Sequence, residues 1–232
     1  MKQLLQTSGY QLEIGANQPL QRQLVQFSAN AYQRFVKSWR QLCIDPFLRD
    51  GGSYRLRRYS VFQWSGGRLT LLPHEPHYQS SHYNKVHGGF NRHFRPWLAT
   101  TVSNVAFKRI VQWCIEQFGA RALQQTWRIQ AHQFRILAQA HEAGKPTPEG
   151  VHKDGADYIL VMLLDRHNIV GGESQLFDNA MQPLEQATLS QRGDLLLIND
   201  AKVYHGVTEI EPQDNTVPAW RDVLVLTFHR QR

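Results

Sequence analysis

The chain is poor in sulfur: its 232 residues hold two cysteines, Cys43 and Cys114, and three methionines. The two cysteines have no metal-ligand spacing, which argues against a thiolate metal site and against a disulfide-stapled secreted scaffold. They read as two buried thiols in a reducing compartment. Long hydrophobic runs are also missing. The longest, residues 158–164, is far below the ~20 residues that span a bilayer as a helix. The N-terminus, Met1-Lys2-Gln3-Leu4-Leu5-Gln6-Thr7, has no apolar core of signal-peptide length, so a cytoplasmic location is the default expectation. There is no internal repeat and no low-complexity tract. Acidic residues are short in supply, 19 against 26 Lys and Arg, which leaves a formal charge of +7. A basic protein invites a nucleic-acid reading. Here the basic residues are scattered, and the densest cluster, Arg55-Leu56-Arg57-Arg58, reads as part of a strand. No interleaved aromatic and basic pattern marks a groove for single strands. An anionic small molecule satisfies the same charge, so a small-molecule substrate is expected and neither a nucleic acid nor a membrane is.

What is present is the composition of a globular domain, 41% hydrophobic and 19% charged. Leu20, Leu24, Phe27, Ala31, Phe35 and Trp39 recur at helical spacing and predict a helix over 18–43, stopped by Asp45-Pro46. A strand is expected over 53–64, with a hairpin at Ser65-Gly66-Gly67-Arg68 and a return strand over 69–72. Val105, Ile110, Trp113, Cys114 and Phe118 predict a second helix over 102–119. From Trp127 onward the signals are β: 127–138, 151–164, 174–177, 184–189, 194–198, 203–210 and 221–229. Helices first and many short strands after predict a mainly β domain with flanking helices and a jelly-roll, cupin-like core. The expected division is one domain over 1–232, with a helical and strand part (1–125) packed on a jelly-roll core (126–232). Whether the chain is a monomer or a homodimer stays open.

The chemistry concentrates in Val151-His152-Lys153-Asp154-Gly155. In a strand, residues two apart share a face, so His152 and Asp154 point the same way and Lys153 away. His205, just after the apolar run Leu195-Leu196-Leu197-Ile198, supplies a third donor from another strand, and Gly206 is expected to keep bulk away from a metal. Two imidazoles and one carboxylate can occupy one face of an octahedron and leave the other positions open. Iron(II) fits such a set, and so do zinc, manganese and nickel. Arg221 opens an otherwise apolar strand, where a guanidinium is costly to bury unless paired. An anionic ligand would pair it, as would a bridge to Asp222. Thr227 shares its face by parity and offers a hydroxyl.

These residues resemble the iron(II)- and 2-oxoglutarate-dependent dioxygenase superfamily, whose core is a double-stranded β-helix. They resemble more closely a bacterial group of free amino-acid hydroxylases that includes the L-isoleucine 4-hydroxylase. The segments that carry the resemblance are residues 148–158, 171–177, 193–206 and the strand from Arg221-Asp222, with 54–60 and 84–96 upstream. The resemblance implies that His152, Asp154 and His205 ligate Fe(II) and are the catalytic set. It implies that Arg221, with Thr227, holds the distal carboxylate of 2-oxoglutarate, and that dioxygen is the second co-substrate. The implied reaction hydroxylates a free L-amino acid or similar small molecule, with release of succinate and carbon dioxide. The same chemistry on a peptide or nucleobase, or a cupin-like metal-binding sensor without turnover, remains the alternative.

For the substrate, Gln133 and Arg135 share one face of their strand and His132 and Phe134 the other. If the first pair faces the interior, Arg135 meets a carboxylate. Arg55 and Arg58 are candidates on the earlier strand, and Asp157 or Glu173 for an ammonium group. The segment 74–89, with four histidines in no zinc pattern, is expected to be a loop over the site that contributes Asn84. Tyr204 points away from His205 by parity and is read as packing.

Overall fold

A computed structural model describes residues 4–16, 18–84 and 86–231; Met1 to Gln3, where the N-terminal reading begins, and Lys85 in the loop lie outside the described residues. The chain runs α1 (Leu4–Thr7), β1 (Tyr10–Glu13), α2 (Pro19–Lys37), β2 (Cys43–Ile44), β3 (Arg55–Ser65), β4 (Arg68–Leu71), α3 (Ala99–Val102) and α4 (Val105–Gln117). Nine strands follow: β5 (Trp127–Ala138), β6 (Tyr158–His167), β7 (Ile169–Gly171), β8 (Glu173–Phe177), β9 (Pro183–Thr188), β10 (Leu195–Asn199), β11 (Tyr204–Val207), β12 (Ile210–Pro212) and β13 (Ala219–Arg230).

Both predicted helices form, and each is shorter at one end for a local reason. Pro19 starts α2, where its missing N–H costs nothing. The helix tightens into a 3-10 turn over Ser38–Gln41 before Cys43 and Ile44 pair with Arg57 and Leu56. The second helix is split, because Asn104 interrupts it and caps α4 by accepting from the Ala106 N–H at 2.9 Å.

The strands build a jelly roll. One large antiparallel sheet runs in the order β1-β10-β6-β13-β5-β3-β2, with β4 also paired to β3. A three-stranded sheet, β11-β8-β9, forms the second layer. Period-two alternation sorts the large sheet. Leu160, Met162, Leu224, Leu226 and Phe228 face outward and pack with Phe35, Phe107 and Ile110 of the helices. Ile159, Val161 and Val223 face inward and pack with Leu176 of the second sheet. Strand β6 is therefore buried on both faces, which is why residues 158–164 read as an unbroken apolar run. Strand β3, from the first half of the chain, pairs with β5 along ten residues and extends the same sheet.

The loop 74–96 crosses over the inner face and is stitched by a reciprocal bridge between His77 and Arg92, with N···O distances of 2.9 and 3.0 Å. Among the described residues, no helix is long and apolar enough to cross a membrane.

Because Leu224 is fully buried on the outward face, truncating it tests the helix layer separately from the inner face. Leu224→Ala is expected to lower the unfolding free energy by about 2–5 kcal/mol in denaturant titrations. Iron affinity of the folded variant should stay near that of the parent.

Candidate active site

His152 and His205 are directly opposed. The His152 N–H donates to the His205 carbonyl at 2.9 Å, and the His205 N–H returns the bond at 3.0 Å. Their ring centroids lie 4.5 Å apart. His152 Nδ1 sits 3.0 Å from the Gly150 carbonyl, which accepts from a protonated Nδ1 and leaves Nε2 to face a ligand. Asp154 stands between the rings: one oxygen is 3.6 Å from His152 Nε2 and the other 3.6 Å from His205 Nε2. These donor atoms form a cluster able to hold one ion.

The segment that carries His152 and Asp154 is not the strand expected from 151; β6 begins only at Tyr158. The two side chains converge through an irregular turn instead. Gly155 has φ +77°, and a Cβ there would meet the Tyr83 ring at 2.6 Å, so both backbone and packing require glycine. Asp200 holds the turn, accepting the N–H groups of Asp154, Gly155 and Ala156 at 3.1, 2.7 and 3.0 Å. Gly206 is also constrained by packing. A Cβ there would press on Val151 at 3.1 Å, so the glycine admits the segment that carries His152.

Charge follows this geometry. Burial disfavours the His152 cation, but Asp154, Glu149 and the Gly150 carbonyl outweigh it and raise its pKa to about 9. Burial, then the adjacent His152 charge, push His205 down to about 3. Burial would raise the Asp154 carboxyl, yet the hydrogen bond and charge of His152, then His205, hold it well below the carboxylate range. Burial and the Asp154 charge lift Asp200 to about 6.

Behind the triad lies a cavity of about 290 Å³. Strand β13 contributes Arg221, Val223, Val225 and Thr227 to its wall, as parity requires. Arg221 is 1% exposed, its Nε and Nη2 have no hydrogen-bond partner, and the Thr227 hydroxyl is likewise buried and unpartnered. Burial, with a smaller push from Arg166, lowers the Arg221 pKa to about 10. Asp222 does not pair with it. That side chain lies on the opposite face in a bidentate bridge with Arg135, at 2.7 and 2.6 Å. Among the described residues, no carboxylate lies within 4.0 Å of Arg221.

Several substrate candidates fall elsewhere. Gln133 and Arg135 face outward, and Gln133 donates to Ser38 Oγ at 2.8 Å; His132 and Phe134 line the cavity in their place. Arg58 is on the outward face of β3, donating to the carbonyls of Gln41 and Pro96 at 2.7 Å, whereas Arg55 and Arg57 line the cavity. Asp157 accepts from the Arg230 N–H at 2.7 Å, and neither it nor Glu173 reaches the cavity. Asn84 does line it, donating to Gln79 at 3.2 Å, and Gln79 donates in turn to Asp154 at 3.0 Å. Tyr204 is outside and packs under the Lys153 ammonium at 4.6 Å. The sequence does not single out Asp200, Gln79 or Glu149, because each acts through a loop whose path has no periodic signature; Arg57, on β3, shares the face of Arg55 by parity and could have been found that way.

A jelly roll that gathers two histidines and an aspartate at one end of a cavity, with an unpaired arginine in its wall, defines a metal- and anion-binding enzyme core. The profile of the 2OG-Fe dioxygenase family matches residues 36–227, and the chain belongs to that family. It is an oxygenase that uses iron(II), 2-oxoglutarate and dioxygen. It is similar to a 3(1)-hydroxy-L-isoleucine 4-dioxygenase from Pantoea ananatis, 26% identical over 204 residues that cover 85% of this chain and 81% of that protein. Among solved structures, a bsmA homolog from Methylobium petroleophilum PM1 superposes with TM-score 0.86 and 34% identity, covering 98% of this chain and 91% of the other. IDO from Bacillus thuringiensis shares the fold at TM-score 0.78 and 17% identity, covering 100% and 94%.

Two outcomes test the support of the triad. Asp200→Ala is expected to weaken iron(II) binding about 10–100-fold in a competition titration, since it frees the turn without removing a donor. A metal must also displace the proton that His152 holds up to about pH 9. The iron affinity of the parent should therefore rise with pH from 7 to 9. An affinity that does not change over that range would mean that His152 is already neutral at pH 7.

Proposed function

We propose that this protein hydroxylates a free L-amino acid, with His152, Asp154 and His205 holding the iron and Arg221 with Thr227 holding the distal carboxylate of 2-oxoglutarate. The observation that carries this reading is the pair of buried, unpartnered donors, Arg221 and Thr227, in the wall of the cavity that ends at the triad. A guanidinium buried without a counterion is costly, and a dicarboxylate co-substrate supplies the counterion. The match between family and donor set supports the metal assignment, since two imidazoles and a carboxylate leave open positions on iron(II).

Bound iron(II) with 2-oxoglutarate and dioxygen supplies the oxidising power that replaces a C–H hydrogen by hydroxyl and leaves succinate and carbon dioxide. The chain's own residues bind and orient. Arg221 can donate two parallel hydrogen bonds, and Thr227 a third, to one carboxylate. Asp200 keeps Asp154 between the two rings. Val161, Val223, Val225 and Phe134 line the wall between these poles with apolar surface, which limits water around the reacting carbon. The cavity volume suits a small molecule. The amino-acid assignment draws on the Pantoea relative, whose name gives a hydroxylated isoleucine as its substrate.

The direct test is succinate release by iron-loaded protein in air against the twenty L-amino acids. Stimulation by one or a few apolar members is expected. Release that no amino acid stimulates would sink this substrate class. His152→Ala and His205→Ala should each abolish release while far-UV circular dichroism is kept, because the bridge between them is made by backbone atoms. Arg221→Ala should weaken 2-oxoglutarate binding by about 2–4 kcal/mol, roughly 30–1000-fold, with little change in iron affinity. Equal losses for iron and 2-oxoglutarate would make Arg221 a structural residue.

A further inference from the structure

Three more guanidiniums line the same cavity: Arg55 and Arg57 from β3 and Arg92 from the covering loop. All three are at least nine-tenths buried, at 6%, 3% and 2% exposure. Asp45 is their one carboxylate within 4.0 Å among the described residues, 2.8 Å from Arg55 Nε and 3.5 Å from Arg57 Nη1. Three positive charges thus share one negative charge. Arg55 Nη2, Arg57 Nε and Arg92 Nε are buried donors without partners. Burying cations with unmade hydrogen bonds is expensive unless a ligand completes them.

The cluster is rigidly built. Arg57 lies between two phenyl rings, its guanidinium carbon 3.6 Å from the Phe94 centroid and 4.5 Å from that of Phe134. Arg57 Nη2 donates to His132 Nδ1 at 2.6 Å, and Arg92 Nη2 to His77 Nδ1 at 2.8 Å. Burial and the neighbouring arginines keep both imidazoles neutral, so they accept from the cluster and add no charge to it.

Register separates this cluster from Arg221. Arg55 is paired with Ile136, and Ile136 with Arg221, across three adjacent strands. The two arginines therefore stand on one wall two strand spacings apart, about 10 Å between backbones. A 2-oxoglutarate that reaches from Arg221 to the triad leaves the cluster without an anion. Opposite in sign is Glu149, whose Oε1 is 3.4 Å from His152 Nε2 and whose Oε2 is buried and unpartnered. A metal on Nε2 would take that N–H away and leave Glu149 in need of a hydrogen-bond donor, which an ammonium group supplies.

We propose that Arg55, Arg57 and Arg92 form the subsite for the substrate's carboxylate, and that Glu149 receives its ammonium group. The assignment rests on the amino-acid reading above for the ammonium half alone. It makes the recognised unit the α-amino acid headgroup, with the side chain left to the apolar part of the cavity.

The experiment is calorimetric titration, without air, of protein loaded with iron(II) and 2-oxoglutarate. The probes are the twenty L-amino acids and straight-chain monocarboxylates of four to eight carbons. Each binder is then compared with its carboxamide and, for an amino acid, with the acid that lacks the ammonium group. In the parent protein, the amide should bind about 30-fold or more weakly than the acid. Arg92→Gln should reduce that preference to under about 3-fold, with 2-oxoglutarate affinity changed less than about 3-fold. Glu149→Gln should do the same for the preference for the ammonium group. Acid and amide binding equally to the parent would overturn the subsite, a comparison that requires no variant to fold. So would a loss in Arg92→Gln that falls on 2-oxoglutarate, or no carboxylate binding at all. Binding of plain carboxylates but of no amino acid, with the acid preferred over its amide, would keep the arginine subsite and remove both the role of Glu149 and the amino-acid reading.

Discussion

The two reciprocal hydrogen bonds between the backbones of His152 and His205 are the constraint on which the site depends. They join segments far apart in the chain, with the irregular segment before β6 on one side and β11 on the other. Once they form, the two imidazoles must stand side by side on the cavity face, and Asp154 needs only a short turn to come between them. Asp200 fixes that turn with a single carboxylate that accepts three consecutive N–H groups. A donor set assembled by backbone pairing tolerates side-chain change, and its geometry is inherited from the jelly roll rather than from the ligands.

Period-two alternation then distributes everything else. On β13, Arg221, Val223, Val225 and Thr227 face the cavity, while Leu224, Leu226 and Phe228 hold the helices. On β5 and β3 the same rule sends His132, Phe134, Arg55 and Arg57 inward and Gln133, Arg135 and Arg58 outward. One sheet therefore carries both the load-sharing core and the chemistry, on opposite sides. The two are separable: damage to the outer face lowers stability, and damage to the inner face changes binding.

Much of this was readable from the residues. The mainly β order, both helices and the span of β5 follow from periodicity, because apolar spacing is a local signal. Arg221 and Thr227 were placed on one face by parity, and that parity holds in β13. The same parity left the faces of β5 and β3 undecided, since alternation says which residues go together and not which side is inside. The candidacy of Gln133 and Arg135 depends on their face being the inner one, and Arg135 instead pairs with Asp222 of the neighbouring strand on the outer face. The strand expected from 151 starts only at Tyr158, because Gly155 with its left-handed backbone breaks the pattern before it. Glu149, Gln79 and Asp200 lie in loops, where position is set by long-range contacts that no window of sequence contains.

The cavity carries a charge imbalance that the fold sustains. Four buried guanidiniums, Arg55, Arg57, Arg92 and Arg221, face a space where the close carboxylates are Asp45, Asp154 and Glu149. Burial lowers the pKa of Arg57, Arg92 and Arg221, the expected response of a cation with too few partners. Such a core does not maximise stability, because apolar side chains of similar size would cost less. Its unmade hydrogen bonds are instead a store of binding energy, released when anions enter and absent when neutral molecules do. Discrimination by groups left unpaired is stronger than discrimination by apolar fit, where one methylene is worth only ~1–3 kcal/mol. On this argument the cavity selects first for anionic groups at two places on one wall, and only then for the shape of what they carry.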